Sequence, residues 1–428
     1  MQKRGIMGLQ QTMVGDRLQI AFLGKRNAGK SSLLNALTGQ QVAIVSEVKG
    51  TTTDPVSKAM EILPLGPCLL VDTPGLDDEG ELGQKRMQKT RQELRRTDLA
   101  LVVMDAKAVL EGADTHLEDT LLTELIGQQI RSIVVFSHAD VLAATEKDSL
   151  RERVKKKYDK MVVAFTDSAS GNGVEELKQE IAKLGGKGDR ELHIVSDLMD
   201  PGDVILLVVP IDSAAPKGRL IMPQQQTIRD ILDHHGIGIV CQVEELADTL
   251  DRFRDSVKLV ITDSQAFAEV GKIVPQDLAL TSFSILFARH KGQLDYLVQG
   301  VSVVESLQDG DRILIAEGCT HKRQCEDIGT VKIPNWLKQY TGKELQFTTC
   351  SGRDFPEDLT GYKMVVHCGA CTLQEREMQY RMRLAKEQKV PMVNYGILIS
   401  FLKGILSRSI QIFPETAKFL ETIQGGQE

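Results

Sequence analysis

Short apolar runs alternate with amphipathic, helix-like stretches along residues 1–186. The run LQIAFL leads into a glycine-rich turn and the helix-like SSLLNALTG, and further apolar runs occur at CLLVDT, DLALVVMDA and SIVVFS. Such short apolar runs are typical of buried strands, and their alternation with helices is typical of a doubly wound parallel sheet. We therefore predict an N-terminal α/β domain over residues 1–186, followed by a glycine-rich linker.

The alternation continues on a smaller scale over residues 189–264. Strand-like DVILLVVPI, GIVCQV and KLVITDS are separated by the helix-like QQQTIRDILDHHG and ELADTLDRF. A module of roughly 75 residues is marginal for independent stability, so we predict that it docks or dimerises. His234 and His235 close a helix-like stretch, where we expect them to complement the negative end of the helix rather than to bind a metal.

The third segment, residues 265–428, contains five strand-like runs and one long polar helix. We predict strands at SFSILFAR, DRILIAEG, ELQFTTC, YKMVVHC and PMVNYG, and a helix at QEREMQYRMRLAKEQK. Two of the strands run directly into Cys319 and Cys368. In open α/β sheets ligands bind beyond the carboxyl ends of the strands, so both cysteines stand where a site is expected.

Composition narrows the class of protein. The 428 residues carry a net charge of -7, which argues against broad nucleic-acid binding. No run reaches the ~18 apolar residues of a membrane span, and the N-terminal stretch lacks the apolar core of a secretion signal. Seven cysteines, an odd number, fit metal ligation in a reducing compartment better than a disulfide framework. We expect a cytoplasmic protein that binds neither membrane nor nucleic acid.

The first domain carries a phosphate-binding motif. Residues 24–31, GKRNAGKS, fit G-x-x-x-x-G-K-[ST] between a predicted strand and a predicted helix. In such a loop the backbone amides approach the phosphates, Lys30 neutralises phosphate oxygens, and the Ser31 hydroxyl ligates Mg²⁺. Asp72, in the run DTPG, is placed to hold the ligand shell of Mg²⁺. The Gly75 amide in the same run is placed to sense the terminal phosphate.

Two further loops complete the predicted nucleotide site. In GTTTD at 50–54, a threonine hydroxyl, which we assign to Thr52, would complete the Mg²⁺ site. Ser168-Ala169-Ser170 resembles the loop with which GTPases present a backbone amide to the guanine oxygen. The predicted nucleotide-binding residues are Gly24, Asn27, Ala28, Gly29, Lys30, Ser31, Ser32, Thr52, Asp72, Gly75, His138, Asp140, Ser168 and Ala169.

These motifs resemble those of the translation-factor-like GTPases that act in tRNA modification and ribosome assembly. That family reads guanine with Asn-Lys-x-Asp, where this chain has Ser137-His138-Ala139-Asp140. The resemblance implies that Asp140 contacts guanine and that His138 stacks on the base. Leu76 occupies the position at which Ras-like enzymes use a glutamine to orient water. The resemblance implies that K⁺, held partly by Asn27, assists instead, so we expect slow, K⁺-stimulated GTP hydrolysis.

A split cysteine motif marks the third segment. Cys319-Thr-His321 is followed, after 45 residues, by His367-Cys368-Gly-Ala-Cys371. Three thiolates are one short of the four protein ligands that a four-iron cluster normally takes. Zinc could close a Cys₃His set with His321 or His367, so coordination chemistry alone leaves zinc and iron–sulfur open.

Together, the GTPase motifs, the middle module and the split motif resemble the [FeFe]-hydrogenase maturation GTPases. The resemblance implies a [4Fe-4S] cluster on Cys319, Cys368 and Cys371 with an exchangeable fourth position. It further implies GTP and GDP as ligands, a transient di-iron subcluster as cargo, and a homodimer. The implied partners are radical-SAM maturases, which build the cargo, and apo-[FeFe]-hydrogenase, which receives it.

The sequence leaves alternatives open for the fourth cluster ligand and for the overall function. His321, His367, Glu326 and Cys325 are candidates for a fourth or labile ligand. Glu326 lies seven residues past Cys319 in the polar run HKRQCEDIG, from which it could fold back to the open position. The alternative function is a tRNA- or ribosome-associated GTPase with a structural zinc or redox-sensing C-terminal domain.

Overall fold

The computed structural model describes residues 17–39, 56–75, 89–186, 193–210, 220–318, 327–352 and 354–425. The chain divides into two compact units, residues 1–190 and 191–428. Among the described residues, no helix is long and apolar enough to cross a membrane.

The first unit contains a six-stranded sheet in the order β2-β3-β1-β4-β5-β6. All neighbouring strands are parallel except β2, which pairs antiparallel with β3. The strands are β1 (Leu18–Leu23), β2 (Val56–Ile62), β3 (Gly66–Asp72), β4 (Leu99–Asp105), β5 (Arg131–Ser137) and β6 (Val162–Phe165). The helices are α1 (Lys30–Thr38), α2 (Ala106–Leu110), α3 (His116–Gly127), α4 (Ala144–Lys157) and α5 (Val174–Gly185). The doubly wound sheet predicted from the apolar runs is confirmed.

The second unit begins with a four-stranded parallel sheet in the order β10-β9-β7-β8. Its strands are β7 (Val204–Val208), β8 (Ile237–Cys241), β9 (Val257–Thr262) and β10 (Ala279–Ser282). Its helices are α6 (Met222–Asp233), α7 (Leu246–Phe253) and α8 (Phe267–Ile273). The boundary predicted between residues 264 and 265 falls between β9 and β10, which pair in this one sheet.

The third sheet is also parallel, in the order β12-β11-β13-β14. Its strands are β11 (Arg312–Glu317), β12 (Gln346–Ser351), β13 (Met364–His367) and β14 (Met392–Asn394). The helices of this part are α9 (Phe283–Lys291), α10 (Leu294–Gln299), α11 (Ile333–Thr341), α12 (Glu375–Glu387), α13 (Tyr395–Leu402), α14 (Leu406–Ser409) and α15 (Pro414–Gly425). One hydrophobic core joins Ile205 and Ile261 of the second sheet to Ile315 and Val366 of the third. The two sheets therefore fold as one unit.

The run SFSILFAR forms helix α9 rather than the predicted strand. The Ser282 side chain accepts a hydrogen bond from the Ile285 amide and so caps the start of this helix. Successive residues Ile285, Leu286 and Phe287 are all buried, because α9 lies inside the shared core. Burial on every side removes the helical period from the sequence, and a short apolar run then looks the same in a helix and in a strand.

Candidate functional site

The phosphate-binding loop curls around the ammonium group of Lys30. Lys30 is buried, and its Nζ donates to the main-chain carbonyls of Gly24 (3.0 Å) and Lys25 (2.7 Å). Gly24 has φ 143°, and a Cβ there would lie 2.3 Å from the Val103 carbonyl oxygen, so only glycine fits. Gly29 and Asn27 also have positive φ, and Asn27 is exposed. The loop thus holds a fixed cation where phosphate oxygens would bind.

Asp72 and Ser31 form the side of the site that suits Mg²⁺. The Ser31 Oγ donates to Asp72 Oδ2 at 2.5 Å, whereas the buried Oδ1 has no hydrogen-bond partner among the described residues. Burial raises the pKa of Asp72, although Ser31 and Lys30 oppose this rise. A buried carboxylate oxygen without a donor fits a hard cation that prefers oxygen ligands. Asp72 and Ser31 would therefore hold Mg²⁺.

Ser137, at the end of β5, stands where the Asn-Lys-x-Asp motif has its asparagine, and it contacts the phosphate-binding loop. Its Oγ lies 2.8 Å from the Ala28 carbonyl and 3.2 Å from the Met104 carbonyl, and its single hydroxyl proton can be donated to either. A Cβ on Gly29 would lie 3.2 Å from the Ser137 Cβ, which shows how closely the loop and the strand end approach. The serine therefore keeps a link between the phosphate loop and the base-reading loop.

The base-reading loop presents His138 and Asp140 to solvent. His138 has φ 53°, and its Nδ1 lies 2.8 Å from Asp105 Oδ2 at the end of β4. The Ala139 amide donates to the Thr166 carbonyl, which joins this loop to the one that contains partly exposed Ser168 and exposed Ala169. Base recognition by Asp140 and stacking by His138 stay predictions.

Several predicted residues lie outside the part of the chain that the structure describes. These are Thr52 of the nucleotide site, and Cys319, His321, Cys325 and Glu326 of the metal site. Of the other nucleotide-site residues, Ser32 is exposed in the first turn of α1, and Gly75 is partly exposed after β3.

The strand ends of the third sheet place Gly318 beside Cys368. Ala316 of β11 pairs with both Cys350 of β12 and His367 of β13, so these residues lie at one level of the sheet. Beyond this level, the Gly318 amide donates to Cys368 Sγ at 3.0 Å. Gly318 directly precedes Cys319 in the chain. Gly318 and Cys368 thus lie at neighbouring strand ends, and the placement of Cys319 itself stays a prediction.

The Cys368-Gly-Ala-Cys371 turn points backbone amides at the Cys368 sulfur. The Ala370 amide lies 3.5 Å from Cys368 Sγ, and Ala370 adopts φ 55°. A Cβ on Gly318 would lie 2.7 Å from the Leu373 Cγ, so the glycine allows the end of β11 to approach this turn. Loss of hydration raises the pKa of Cys368 to about 11, although the Gly318 and Ala370 amides oppose this. Amide donors around a sulfur favour a bound thiolate.

His367 packs behind the cysteines with both ring nitrogens engaged. It is fully buried, with Nδ1 2.8 Å from the Cys368 carbonyl oxygen and Nε2 3.0 Å from Nη1 of Arg381. Burial, reinforced by the Arg381 charge, lowers the pKa of His367 to about 3, so the ring is neutral. Nδ1–H donates to the carbonyl, and Nε2 accepts from the guanidinium. With both ring nitrogens engaged, His367 is not placed to bind a metal.

Two buried cations beside the cysteines were not identified from the sequence. Arg381 is fully buried, pairs with Glu377 (2.8 Å), donates to the Gly352 carbonyl (2.6 Å) and lies over the Phe355 ring. Lys291, at the end of α9, donates to the carbonyls of Cys371 (3.2 Å) and Leu373. The sequence contains one signal for the ion pair of Glu377 and Arg381. Glu377 and Arg381 fall on the same helical stripe as apolar Met378 and Met382.

Three family models match the chain in sequence order. A 50S ribosome-binding GTPase model matches residues 19–138, the hydrogen maturase F dimerization domain matches residues 194–292, and the hydrogen maturase F tetramerization domain matches residues 295–412. The GTPase match supports GTP binding with Mg²⁺ and GTP hydrolysis. The other two support oligomerisation.

Individual relatives resemble the N-terminal part. GTPase Der of Kosmotoga olearia is 31% identical over 193 residues, which are 43% of this chain and 42% of that protein. The tRNA modification GTPase MnmE of Xanthomonas campestris pv. campestris is 31% identical over 211 residues, 48% of this chain and 46% of that protein. The chain thus spans less than half the length of these relatives. Among solved structures, Era of Aquifex aeolicus is 20% identical with a TM-score of 0.36, covering 60% of this chain and 97% of that one.

The three family models together give the domain order of hydrogen maturase F, and the chain belongs to that family.

Proposed function

We propose that this GTPase is an iron–sulfur scaffold that assembles the di-iron subcluster of [FeFe]-hydrogenase and delivers it to the apo-enzyme. A [4Fe-4S] cluster would be held by Cys319, Cys368 and Cys371. The observation that carries the proposal is the hydrogen bond from the Gly318 amide to Cys368 Sγ, because it brings the chain next to Cys319 against the C-x-x-C turn. With three protein thiolates, such a cluster would leave one iron for an exchangeable ligand or cargo.

The surroundings of Cys368 suit a bound thiolate better than a free one. Without metal, the raised pKa of about 11 keeps this thiol protonated near neutral pH. Metal binding requires the thiolate and therefore releases the proton. The Gly318 and Ala370 amides then donate to the sulfur, and Lys291 sits with its ammonium at the Cys371 carbonyl. These groups offset part of the negative charge that thiolates bring into a partly enclosed site.

The fourth ligand comes from outside the cysteine triad. With His367 bonded to Arg381 and to the Cys368 carbonyl, the remaining candidates are His321, Glu326 and Cys325. Glu326 is the most readily displaced of these, because an oxygen donor is a weak ligand for the iron of a cluster. A displaceable ligand suits a site that loads and releases cargo.

Hydrolysis of GTP is proposed to be slow and stimulated by K⁺. The loop holds Lys30 for the phosphates, Ser31 and Asp72 for Mg²⁺, and exposed Asn27 for the K⁺ ion. Comparing hydrolysis in K⁺ with hydrolysis in Na⁺ at equal ionic strength tests this assignment. A faster rate in K⁺ that Asn27→Ala abolishes supports it, whereas equal rates in the two salts refute it.

The proposed partners are radical-SAM maturases and apo-[FeFe]-hydrogenase, which a homodimeric or larger assembly of this chain would meet in the cytoplasm. The decisive experiment is anaerobic reconstitution with iron and sulfide, followed by mixing with maturases and apo-hydrogenase. We expect iron–sulfur absorption and hydrogenase activation. Cys368→Ser should abolish both, while Cys241→Ser, outside the site, should retain both. A protein that binds zinc and no iron–sulfur cluster would overturn the proposal.

A further inference from the structure

Three metal-ligating side chains meet in the second unit, apart from the nucleotide site and the cysteine site. One candidate ligand atom each from His193, Asp230 and His234 lies within 4.8 Å of the others. Asp230 and His234 are four residues apart at the end of α6, so they share one face of that helical turn. His193 comes from the segment before β7, and its ring meets that of His234 edge to face with centroids 5.5 Å apart. Two separate stretches of chain thus contribute to one cluster.

The carboxylate of this cluster is held in place by the backbone. Asp230 Oδ2 accepts hydrogen bonds from the amides of Ile194 (3.1 Å), Val195 (2.8 Å) and Ser196 (2.9 Å). The Ser196 hydroxyl donates to Oδ1 at 3.0 Å. These bonds orient Asp230 and leave lone pairs on Oδ1 for a further contact. A carboxylate fixed by outer hydrogen bonds is the arrangement that orients a metal ligand.

The two imidazoles have matching polar partners. Nδ1 of His234 lies 2.9 Å from the main-chain carbonyl of Asp230, and Nδ1 of His193 lies 2.7 Å from Ser196 Oγ. A proton on Nδ1 of His234, donated to that carbonyl, makes its Nε2 a lone-pair donor. The His234 side chain is 42% exposed, so an ion can enter from solvent.

We propose that His193, Asp230 and His234 bind one divalent transition-metal ion, Zn²⁺ in preference to Fe²⁺. Two imidazoles and a carboxylate are ligands that Zn²⁺ accepts, and water would fill the remaining position. Ligand atoms around tetrahedral Zn²⁺ are about 3.4 Å apart, given bonds of about 2.0–2.1 Å. The candidate ligand atoms lie up to 4.8 Å apart, so binding of the ion would have to draw the imidazoles towards Asp230. The same donor set is used for Fe²⁺, but Fe²⁺ binds a given site more weakly than Zn²⁺.

The neighbouring charges are compatible with a cation. Arg289 approaches the same segment, donating to the Ile194 carbonyl at 3.3 Å, but its guanidinium is paired with both oxygens of Asp197. His290 Nδ1 lies 3.2 Å from the His193 carbonyl. The end of α9 therefore anchors residues 193–197 from one side, and the metal would fasten the same segment to α6 from the other.

Cobalt titration of the tag-free, full-length protein under anaerobic conditions tests the site. Co²⁺ bound by imidazole and carboxylate gives d–d absorption without the thiolate-to-cobalt charge-transfer band that the cysteine site would add. We expect one equivalent of Co²⁺ with the spectrum of imidazole and carboxylate ligands, both in the wild type and in the Cys368→Ser/Cys371→Ser variant. Zn²⁺ should displace this Co²⁺. Fe²⁺ should compete more weakly than Zn²⁺. Tighter binding of Fe²⁺ than of Zn²⁺ would overturn the zinc assignment.

Adjacent histidines provide a matched pair of variants. His234→Asn should weaken Co²⁺ binding at least tenfold, whereas His235→Asn, at the exposed neighbour with φ 61°, should leave it unchanged. Asparagine tolerates that backbone conformation, so the control should fold normally. Circular dichroism of all variants checks this. Cobalt binding that is absent, or that survives both His193→Asn and His234→Asn, would refute the site.

Discussion

The nucleotide site and the cysteine site both lie at the carboxyl ends of parallel strands, yet they are built by different means. In the first, the contacts around Lys30 run to main-chain carbonyls within the same eight-residue loop. In the second, the contacts around Cys368 and His367 come from Gly318, just beyond the end of another strand, and from Arg381, on a helix. The first site is a backbone cradle within one loop, and the second is a network of groups from several elements.

The difference predicts different sensitivities to mutation. A backbone cradle loses function when its one cation is removed, but the loop itself stays supported by the sheet. A buried network of charges loses stability when any single member is removed, because the remaining charge has no partner and no water. The four predictions below test this contrast, from the largest expected effect to the smallest.

Arg381→Leu should have the largest effect, and on stability. It leaves Glu377, which is 5% exposed, without its buried partner, and a broken buried pair costs about 3–5 kcal/mol. Urea unfolding of the metal-free protein measures the loss. The control is Glu377→Leu/Arg381→Leu, which removes both charges and should recover the part of the loss that comes from the unpaired carboxylate, but not the part that comes from the lost bonds to His367 and Gly352. Equal losses in the single and double variants would show that the charge pair is not what matters.

Lys30→Ala should reduce kcat/KM for GTP hydrolysis by about 10²–10³, equivalent to about 2.7–4 kcal/mol of transition-state stabilisation. Steady-state phosphate release measures it. The matched control is Lys25→Ala in the same loop, since Lys25 pairs with Glu118 instead of pointing into the cradle. The urea transition of the second unit should not move in either variant. A Lys30→Ala protein with near-normal hydrolysis would contradict the assignment of the cradle.

The sequence predicts the phosphate-binding loop more completely than the cysteine site, for physical reasons. The phosphate loop is contiguous, and its function resides in the backbone, so the motif alone locates it. The cysteine site depends on side chains that only the fold brings together. His367 stands beside Cys368 in the chain and looks like a ligand, but Arg381, fourteen residues further on, occupies its Nε2.

The same limit explains why other features of the fold are not visible in the sequence. The run that forms helix α9 has the pattern of a strand, because the shared core surrounds this helix and removes its helical period. Lys291 at its end gave no signal, because nothing local shows that its ammonium meets the Cys371 carbonyl. Local pattern therefore predicted the sheets and the phosphate loop, whereas buried polar partners required the tertiary structure.

Ser137→Ala should weaken nucleotide binding moderately. The variant loses the hydroxyl that lies 2.8 Å from the Ala28 carbonyl, and one hydrogen bond contributes about 0.5–1.5 kcal/mol. We expect GTP affinity, measured with a fluorescent analogue, to fall about three- to tenfold. Ser132→Ala on the same strand is the control, because its hydroxyl bonds to the Ile130 carbonyl, away from the loop. If both alanines behave alike, Ser137 does not brace the loop.

Asp105→Asn should have the smallest effect, visible as a change in pH dependence. Burial alone would raise the pKa of Asp105, but hydrogen bonds from the Ala108 amide and from His138 outweigh it, so the pKa is lowered. A lowered folded-state pKa adds stability above the unfolded pKa of about 4, and that stability is lost as pH falls through the folded value. Asparagine keeps the cap on α2 but cannot carry the charge.

The wild type should therefore lose slightly more unfolding free energy between about pH 6 and pH 3 than Asp105→Asn loses, and the difference should stay below about 1 kcal/mol. This upper limit follows from the solvent exposure of the two side chains that interact. The side chains of His138 and Asp105 are 50% and 33% exposed, so water screens their attraction, whereas the pair of Arg381 and Glu377 has no such screening. A difference as large as that of the buried pair would mean that the nucleotide site, too, depends on a desolvated charge network, and the contrast between the two sites would fail.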